Sequence, residues 1–598
     1  MDLILDKAPE ALVRQTTRHG PLVGAETTTF RLWAPSAKAP NLLIRGQAPR
    51  PLTRAPDGFW QLEVADAGPG TRYKFAIGEL VFPDLGSRQQ DGDATGWSVV
   101  RAPLPPSRRK TPLRPWHETL ICEVHVGTAS PEGTFAGLAR RLEHFRDAGY
   151  TCLEIMPLNE FPGTRNWGYD GTLIFAPESA YGTPEELRAL VDRAHALGLC
   201  MVLDVVYNHF GEVDNFAPKV APEFFADDIE TPWGPAVDFT QPMVRQFYYE
   251  NARMWLEEFD FDGLRFDSVH EIGTEARDRF LIELAHVART AKRHAKLILE
   301  NMENTATWLE RTPEDEPVLY AAQWNDDIHH VLTHLVTGAP KFGYDDPEKD
   351  PFADLEKALA DGFVHDGEAP GPSDGTTRNE PASDLPPDAF ITYVQNHDQI
   401  GNRADARRLA DRISAEKLDF LYFVALLAPQ IPLLFMGEEA SLRTRFPFFI
   451  DFPEEAAEAK RRDRDQQMKE MFKEKLPPGG LPDPNATETF DMARLDWDGF
   501  SAPDAVAALA RFRQLAQYRR DIVWPLTSSV CRAAHSARQE NGLIITWVFE
   551  AGTYSMALNP QDKAITLACK VDRPAAATGT HRVDGERLAL GPWSALVW

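Results

Sequence analysis

Apolar and polar positions alternate over short runs through about residue 105: Thr28-Thr-Phe-Arg-Leu-Trp33, Asn41-Leu-Leu-Ile44, Gly58-Phe-Trp-Gln-Leu-Glu-Val64 and Thr71-Arg-Tyr-Lys-Phe-Ala-Ile77, with Gly and Pro between them. A period of two broken by turn residues predicts a small β-sandwich over 1–105. The Pro-rich, basic stretch 103–112 then reads as a linker.

From about 116 the rhythm becomes strand, loop, helix, repeated. The apolar runs are Ile121-Cys-Glu-Val-His-Val126, Thr151-Cys-Leu-Glu-Ile-Met156, Cys200-Met-Val-Leu-Asp-Val-Val206, the stretch Asp262-Gly-Leu-Arg-Phe-Asp-Ser-Val-His270, Lys296-Leu-Ile-Leu-Glu300, Val318-Leu-Tyr-Ala-Ala322, Phe390-Ile-Thr-Tyr-Val394 and Ile431-Pro-Leu-Leu-Phe435. Helical stripes lie between them. Phe135, Leu138, Leu142 and Phe145 mark a helix over 134–148 that Gly149 ends; Leu187, Leu190, Val191 and Ala194 follow the capping-box pattern Thr183-Pro-Glu-Glu186, with Gly198 as the stop. Another helix is predicted over 243–259. Eight strands alternating with helices predict an α/β fold, a (β/α)8 TIM barrel with loop insertions, over 106–520. The insertion at 361–388 is rich in Asp, Gly and Pro and reads as irregular; that at 453–476 is highly charged and reads as a solvated helix. A helix over 503–520 precedes strand-like pieces such as Leu543-Ile-Ile-Thr-Trp-Val548, which predict an antiparallel β-domain over 521–598.

Composition narrows the partners. With 63 Lys+Arg against 90 Asp+Glu the net charge is −27, which disfavours nucleic acid and anionic membranes. Hydrophobic residues at 43% supply a sizeable core. Cys122, Cys152, Cys200, Cys531 and Cys569 are odd in number and far apart, and three lie in apolar runs, so reduced thiols are expected rather than a disulfide framework or zinc site. The start lacks the plan of a signal peptide and no stretch approaches a membrane span, from which a cytoplasmic location is expected.

The chemistry concentrates at strand ends. Arg265 and Asp267 are two apart in a strand-like run, so their side chains share a face. Such a pair is either a structural ion pair or an acid kept ionised by its neighbour. Asp204, Glu300 and Asp398 also end apolar runs, and parallel strands would place all four carboxylates on the C-terminal face of the barrel, beside His209, His270 and His397. Paired carboxylates suit glycosidic bond cleavage. Arg265 should favour the charged form of Asp267, as a nucleophile requires; an apolar lead-in and facing carboxylates should raise the pKa of Glu300, as a proton donor requires. Asp398 could steady an oxocarbenium-like state or grip hydroxyls. A cation bound by Asp204, Asn208 and His209 is the rival reading, without any spaced ligand set to support it. Tyr169 reads as a turn residue or as a flat surface for a sugar ring.

In these residues the chain resembles the α-amylase superfamily of retaining glycosidases, glycoside hydrolase family 13. The carriers are Asp204-Val-Val-Tyr-Asn-His209, Gly263-Leu-Arg-Phe-Asp267, Leu299-Glu300 and Asn396-His-Asp398, in the family's order and on the matching strands. The resemblance implies Asp267 as nucleophile, Glu300 as acid/base and Asp398 as transition-state stabiliser, with Arg265, His209, His397 and Tyr169 holding the sugar. The longer stretches Glu123–Thr128, Glu160–Asp170, Gln323–His330, Gln395–Arg403 and Leu427–Glu439 are similar to a trehalose-releasing member. These stretches add Asn325, Asp326, Asp327, Gln399, Asn402 and Arg403 as expected substrate contacts, and the strand-end runs add Asp204 and His270. The implied reaction is hydrolysis of the α-1,4 bond next to the terminal trehalose of a maltooligosyl-trehalose, downstream of a maltooligosyltrehalose synthase, with no cofactor and no required metal. A branching or debranching enzyme of the same superfamily, or a non-catalytic α-glucan-binding protein, are the alternatives. One departure is Asn-Met-Glu-Asn after Glu300, where the family usually has an Asp soon after the Asn.

Overall fold

A computed structural model describes residues 19–105, 114–231, 233–273, 275–338, 350–365, 379–470, 480–539 and 542–598. Most of the linker stretch, the middle of the 361–388 insertion and the end of the 453–476 insertion lie outside the described residues.

Eight parallel strands close into a barrel: β1 (Ile121–Val124), β2 (Cys152–Ile155), β3 (Cys200–Val205), β4 (Gly263–Phe266), β5 (Lys296–Leu299), β6 (Ala322–Trp324), β7 (Phe390–Tyr393) and β8 (Ile431–Phe435), with β8 pairing back to β1. The expected barrel is therefore present, with one strand displaced: β6 begins at Ala322, where 318–322 was expected. Leu319 and Tyr320 in the lead-in are buried all the same. Their apolarity marks burial in a loop, which a short run cannot distinguish from a strand.

The two-residue period splits the core in two. Ile121, Cys152, Cys200, Val202, Ile298, Ala322, Trp324, Ile391, Tyr393, Ile431 and Leu433 point inward and fill the barrel, closed at its N-terminal end by Trp116. The alternate positions, such as Leu153, Leu203, Leu264 and Leu297, join the helices in the much larger outer core. All five cysteines are free thiols, and the three on barrel strands are buried.

The helices follow their caps. Thr183 accepts from Glu186 N and Glu186 caps Thr183 N in return, opening the helix Pro184–Ala196. The helix expected over 134–148 breaks into Phe135–Ala139 and Leu142–Ala148, and Gly149 ends it at φ +118°. Pro242–Arg253 gives way to a wider turn at Met254–Glu258, close to the expected span. Among the described residues no helix is long and apolar enough to cross a membrane.

N-terminal to the barrel, Thr27–Trp33 and Phe59–Ala65 pair in one antiparallel sheet and Asn41–Ile44 with Arg72–Ile77 in another. Phe30, Leu42, Tyr73 and Phe75, in these strands, are buried. C-terminal to it, a five-stranded sheet built on Gly542–Phe549 and Gly552–Asn559 and a three-stranded sheet form the antiparallel β-structure.

Arg519, just past the helix Pro503–Tyr518, is fully buried with no acidic partner and donates to the carbonyls of Leu426 (2.9 Å), Ala428 (2.7 Å) and Gln430 (2.5 Å). These carbonyls belong to the turn that enters β8, so one side chain ties the last barrel strand to the segment leading out of the barrel. Burial pulls the guanidinium pKa down to about 9. Arg519→Met should cost about 3 kcal/mol of unfolding free energy, because several buried carbonyls lose their donor at once. Urea denaturation measures it, and a loss below about 1 kcal/mol, the worth of an ordinary single hydrogen bond, would contradict this role.

Candidate active site

Arg265 on β4 organises the C-terminal mouth of the barrel. Its Nη1 donates to Asp204 Oδ2 (2.7 Å) on β3 and Asp267 Oδ1 (2.8 Å), and its Nη2 to Glu300 Oε2 (2.7 Å) just past β5. The guanidinium plane lies 4.0 Å from the centre of the Trp324 ring. Arg265 has no solvent exposure. Burial disfavours its charge, yet Asp204, Glu300 and Asp267 hold the pKa well above the ordinary value. Asp204 is the inner member of the group, closed off by the Tyr169 hydroxyl at 2.7 Å.

The two carboxylates at the rim are held differently. Asp267 Oδ2 accepts from Asn208 Nδ2 (2.9 Å), which also donates to the Asp267 carbonyl (2.7 Å). Ser268 then turns at φ +39°, an uncommon backbone for a non-glycine residue, and aims its N–H at Glu300 Oε2 (2.9 Å). Burial and the charge of Glu300 push Asp267 well above the carboxylate range; burial of Glu300 is outweighed by Arg265, His270 and the Ser268 N–H, which bring it to about 2. Sequence spacing had given Arg265 to Asp267 alone, whereas the fold makes it common to both acids.

Asp398 comes from the short helix His397–Gly401 after β7, whose cap Asn396 accepts from Asp398 N (2.9 Å) while Gln399 Oε1 accepts from Asn396 N (3.1 Å). Asp398 Oδ1 accepts from Asn402 Nδ2 (3.0 Å) and lies 3.5 Å from His397 Nε2. His397 is clamped by Glu123 on β1, through its backbone N–H and its Nδ1. Burial opposes its charge, but Asp398 and Glu123 raise the His397 pKa to about 9. Tyr169 stacks on His397 with ring centres 5.1 Å apart, so one face of the ring expected to meet a sugar is occupied by protein. His209 donates from Nε2 to the Tyr169 carbonyl (2.9 Å), and burial lowers its pKa to about 3, leaving it neutral.

The remaining sequence candidates separate. His270 Nδ1 accepts from Met302 N (3.3 Å) beside Glu300. Asp326 accepts from Tyr393 and from Gln399 Nε2 (3.3 Å), and burial with the charge of Glu300 lifts it to about 7. Asn325 and Asp327, expected at the sugar, are buried and turned onto the chain after residue 361. Asn325 donates to the Gly362 carbonyl (2.7 Å), and Asp327 accepts from Val364 N (2.8 Å) and His365 N (3.2 Å). Their side chains hold a loop. Arg403 lines a cavity of about 260 Å³ with Phe448, Arg464 and Met468.

Three residues escaped sequence reasoning. Glu123 and Glu154 sit opposite each other in the β1–β2 register, in apolar strands, with the same signature that revealed Asp204. Both carboxyl oxygens of Glu154 are buried without a hydrogen-bond partner, and burial raises its pKa well above the ordinary range. Trp233, in the hairpin Phe225–Thr231/Gly234–Val237, stacks on His209 at 4.2 Å. No periodicity announces it.

Of the rival cation ligands, Asp204 Oδ2 accepts from Arg265, Asn208 Oδ1 faces His209 Nδ1 and His209 Nε2 faces the Tyr169 carbonyl, while Asp204 Oδ1 alone has no partner. Among the described residues, Asp192, His195 and Asp260 bring potential ligand atoms within 4.8 Å of one another. Lys292 Nζ already stands 2.6 Å from Asp260 Oδ1, so a cation is in place there.

Carboxylates gathered this closely at the mouth of a (β/α)8 barrel suit glycosidic bond cleavage, and a family model describing the alpha amylase catalytic domain matches residues 81–233. The class is that of the α-amylase-type glycosidases. Relatives narrow it further. A malto-oligosyltrehalose trehalohydrolase of Saccharolobus solfataricus is 32% identical over 479 residues, 78% of this chain and 82% of that one. Another, from Rhizobium sp. (strain M-11), is 32% identical over 595 residues, 95% of this chain and 97% of that one. A solved structure of a provisionally assigned alpha amylase from Salmonella typhimurium is 35% identical and superposes with a TM-score of 0.91, covering 98% of this chain and 99% of that one. The chain belongs to the malto-oligosyltrehalose trehalohydrolase family.

The Glu123–His397 pair carries a pH signature. Because the His397 pKa is raised from 6.5 to about 9, its stabilisation is complete below about pH 6.5 and disappears as the pH rises through about 9. The unfolding free-energy difference between wild type and Glu123→Gln should therefore shrink by on the order of 2–3 kcal/mol between about pH 6 and about pH 9.5. A difference independent of pH would mean that His397 is neutral.

Proposed function

We propose that the protein hydrolyses the α-1,4 bond adjacent to the terminal trehalose of maltooligosyl-trehalose, with retention at the anomeric carbon. The observation that carries the reading is the capture of Asp267 and Glu300 by adjacent nitrogens of one guanidinium. Sharing one guanidinium keeps the two acids side by side, and a double-displacement site calls for about 5–5.5 Å between carboxyls, against the roughly 6.5–9.5 Å that admits a water between them.

In the first step an Asp267 oxygen bonds to C1 as the C1–O bond to trehalose breaks, and Glu300 gives its proton to the departing oxygen. In the second, Glu300 takes a proton from water, the water oxygen bonds to C1 and Asp267 leaves as carboxylate. Asp398 faces the positive charge that develops on the ring. In the free site both acids lean on Arg265, and substrate has to leave the proton on Glu300 and the charge on Asp267. A glycosidic oxygen entering at Glu300 draws that carboxyl from Arg265 and Ser268 N–H. Its pKa then rises, while Arg265 is left to stabilise ionised Asp267.

Tyr169, His209, His270, Asp326, His397 and Gln399, which lie in or beside the loops after the barrel strands, are assigned to the sugar. Asp204 and Arg265 fix the nucleophile. Substrate of this kind is the product of a maltooligosyltrehalose synthase, so the enzyme acts after one.

The test is incubation with maltotriosyltrehalose and, separately, with amylose. Free trehalose from the first and little change in the second is expected; faster attack on amylose would transfer the protein to the branching or debranching reading. Asp267→Ala should lower kcat by at least about 10³-fold while binding of the trehalose-capped oligosaccharide stays measurable by calorimetry. Retained turnover would remove Asp267 from the nucleophile's role.

A further inference from the structure

The helix Glu454–Glu470 is composed almost wholly of charged and polar residues and alanine, the pattern of a solvated excursion, yet one of its arginines turns inward. Arg462, on the same helix, is exposed and paired with Glu458 at 3.3 Å. Arg464 instead lays its guanidinium 5.0 Å from the Phe448 ring centre and donates from Nη2 to the Gly401 carbonyl (2.9 Å) and from Nη1 to Asn402 Oδ1 (2.8 Å) and Gln467 Oε1 (2.7 Å). Gly401 and Asn402 close the short helix that carries Asp398.

An arginine has donors only, so it must face the oxygen of the Asn402 amide, and the amide's NH2 end is thereby forced toward Asp398, where it donates at 3.0 Å. Without that constraint the amide could turn and set its oxygen against the carboxylate. We propose that Arg464 is a positioning residue for the reaction: through Asn402 it fixes the orientation and ionisation of Asp398, so that the inserted helix is a working part of the active site. This rests on the reading of Asp398 as the stabilising carboxylate.

The charged and titratable groups around Asp398 are His397 on its own helix, Glu123 from β1, Arg265 from β4, Glu300 after β5, Asp326 after β6 and Arg464 from the inserted helix. Loss of Arg464 removes a positive charge and releases the amide donor. Both changes disfavour ionised Asp398, so its pKa rises and the acid limb of the pH–rate profile moves to higher pH.

The experiment compares wild type, Arg464→Ala, Arg464→Lys, Asn402→Ala, the Arg464→Ala/Asn402→Ala double variant and Arg462→Ala as the control on the same helix. The readouts are kcat, KM and the pH profile on maltotriosyltrehalose, with thermal melting alongside. Arg464→Ala should lower kcat roughly 10–100-fold with KM within about twofold and shift the acid limb upward. Arg464→Lys, which keeps a charge but not the fork, should recover part of the loss. Asn402→Ala should reproduce the shift, and the double variant should be no worse than the more damaged single one. Arg462→Ala should match wild type.

Loss of activity with an unmoved acid limb, additive effects in the double variant, or a fall in melting temperature that alone accounts for the lost activity would each overturn the proposal. If Arg464→Ala does not fold, Arg464→Lys and Asn402→Ala decide it by the same limb. If wild type releases no trehalose, the substrate reading fails separately, and the same comparison on the α-glucan it does cleave still judges Arg464.

Discussion

A guanidinium with no access to water must have its donors met, by carbonyls as at Arg519 or by anions, and carboxylates crowded at the end of a barrel must share a cation. Arg265 satisfies both demands, with Asp204, Asp267 and Glu300 on its two terminal nitrogens and Trp324 against its plane. The strand register makes this possible. Asp204 is paired with Arg265 across β3 and β4, and Arg265 with Ile298 across β4 and β5, two residues before Glu300. An ion network of this kind is poor evidence of added stability, since desolvation offsets much of the attraction. What it fixes is geometry.

The same arrangement leaves the site short of positive charge. Glu123, Glu154, Asp204, Asp267, Glu300 and Asp398 line or adjoin the barrel interior against Arg265 and a protonated His397, while His125 and His209 are held neutral by burial. In a low-dielectric interior so many acids cannot all be ionised. Glu154, whose two oxygens have no donor, keeps its proton, while Asp267 and Glu300 share the charge of Arg265 between them. The free site thus has a proton to be divided between the two acids that share Arg265. Substrate binding and proton placement become one event.

Around this centre, elements with little apolar character do structural work by hydrogen bonding. Asn325 and Asp327 pin the chain at 362–365, Glu123 clamps His397, and Arg464 reaches in from a helix that is polar on nearly every side. The barrel's two cores, one inside the strands and one outside, supply the rigid frame on which these contacts depend.

Read along a line, the chain gave up its barrel, seven of the eight strand positions, the limits of a few helices and the family of the site, because strand alternation, helical spacing, caps and short motifs are local. It also put Arg265 and Asp267 on one face, since that follows from a period of two. It misplaced β6, where a buried loop is as apolar as a strand, and it sent Asn325 and Asp327 to the substrate. That Asp204 and Glu300 join Asp267 on Arg265, that Trp233 stacks on His209, that Glu123 holds His397 and that Arg464 reaches Asn402 emerged only with the folded chain. Those outcomes depend on distances between residues far apart in the chain and on the burial that closure of the barrel creates, and neither quantity exists until the strands have met.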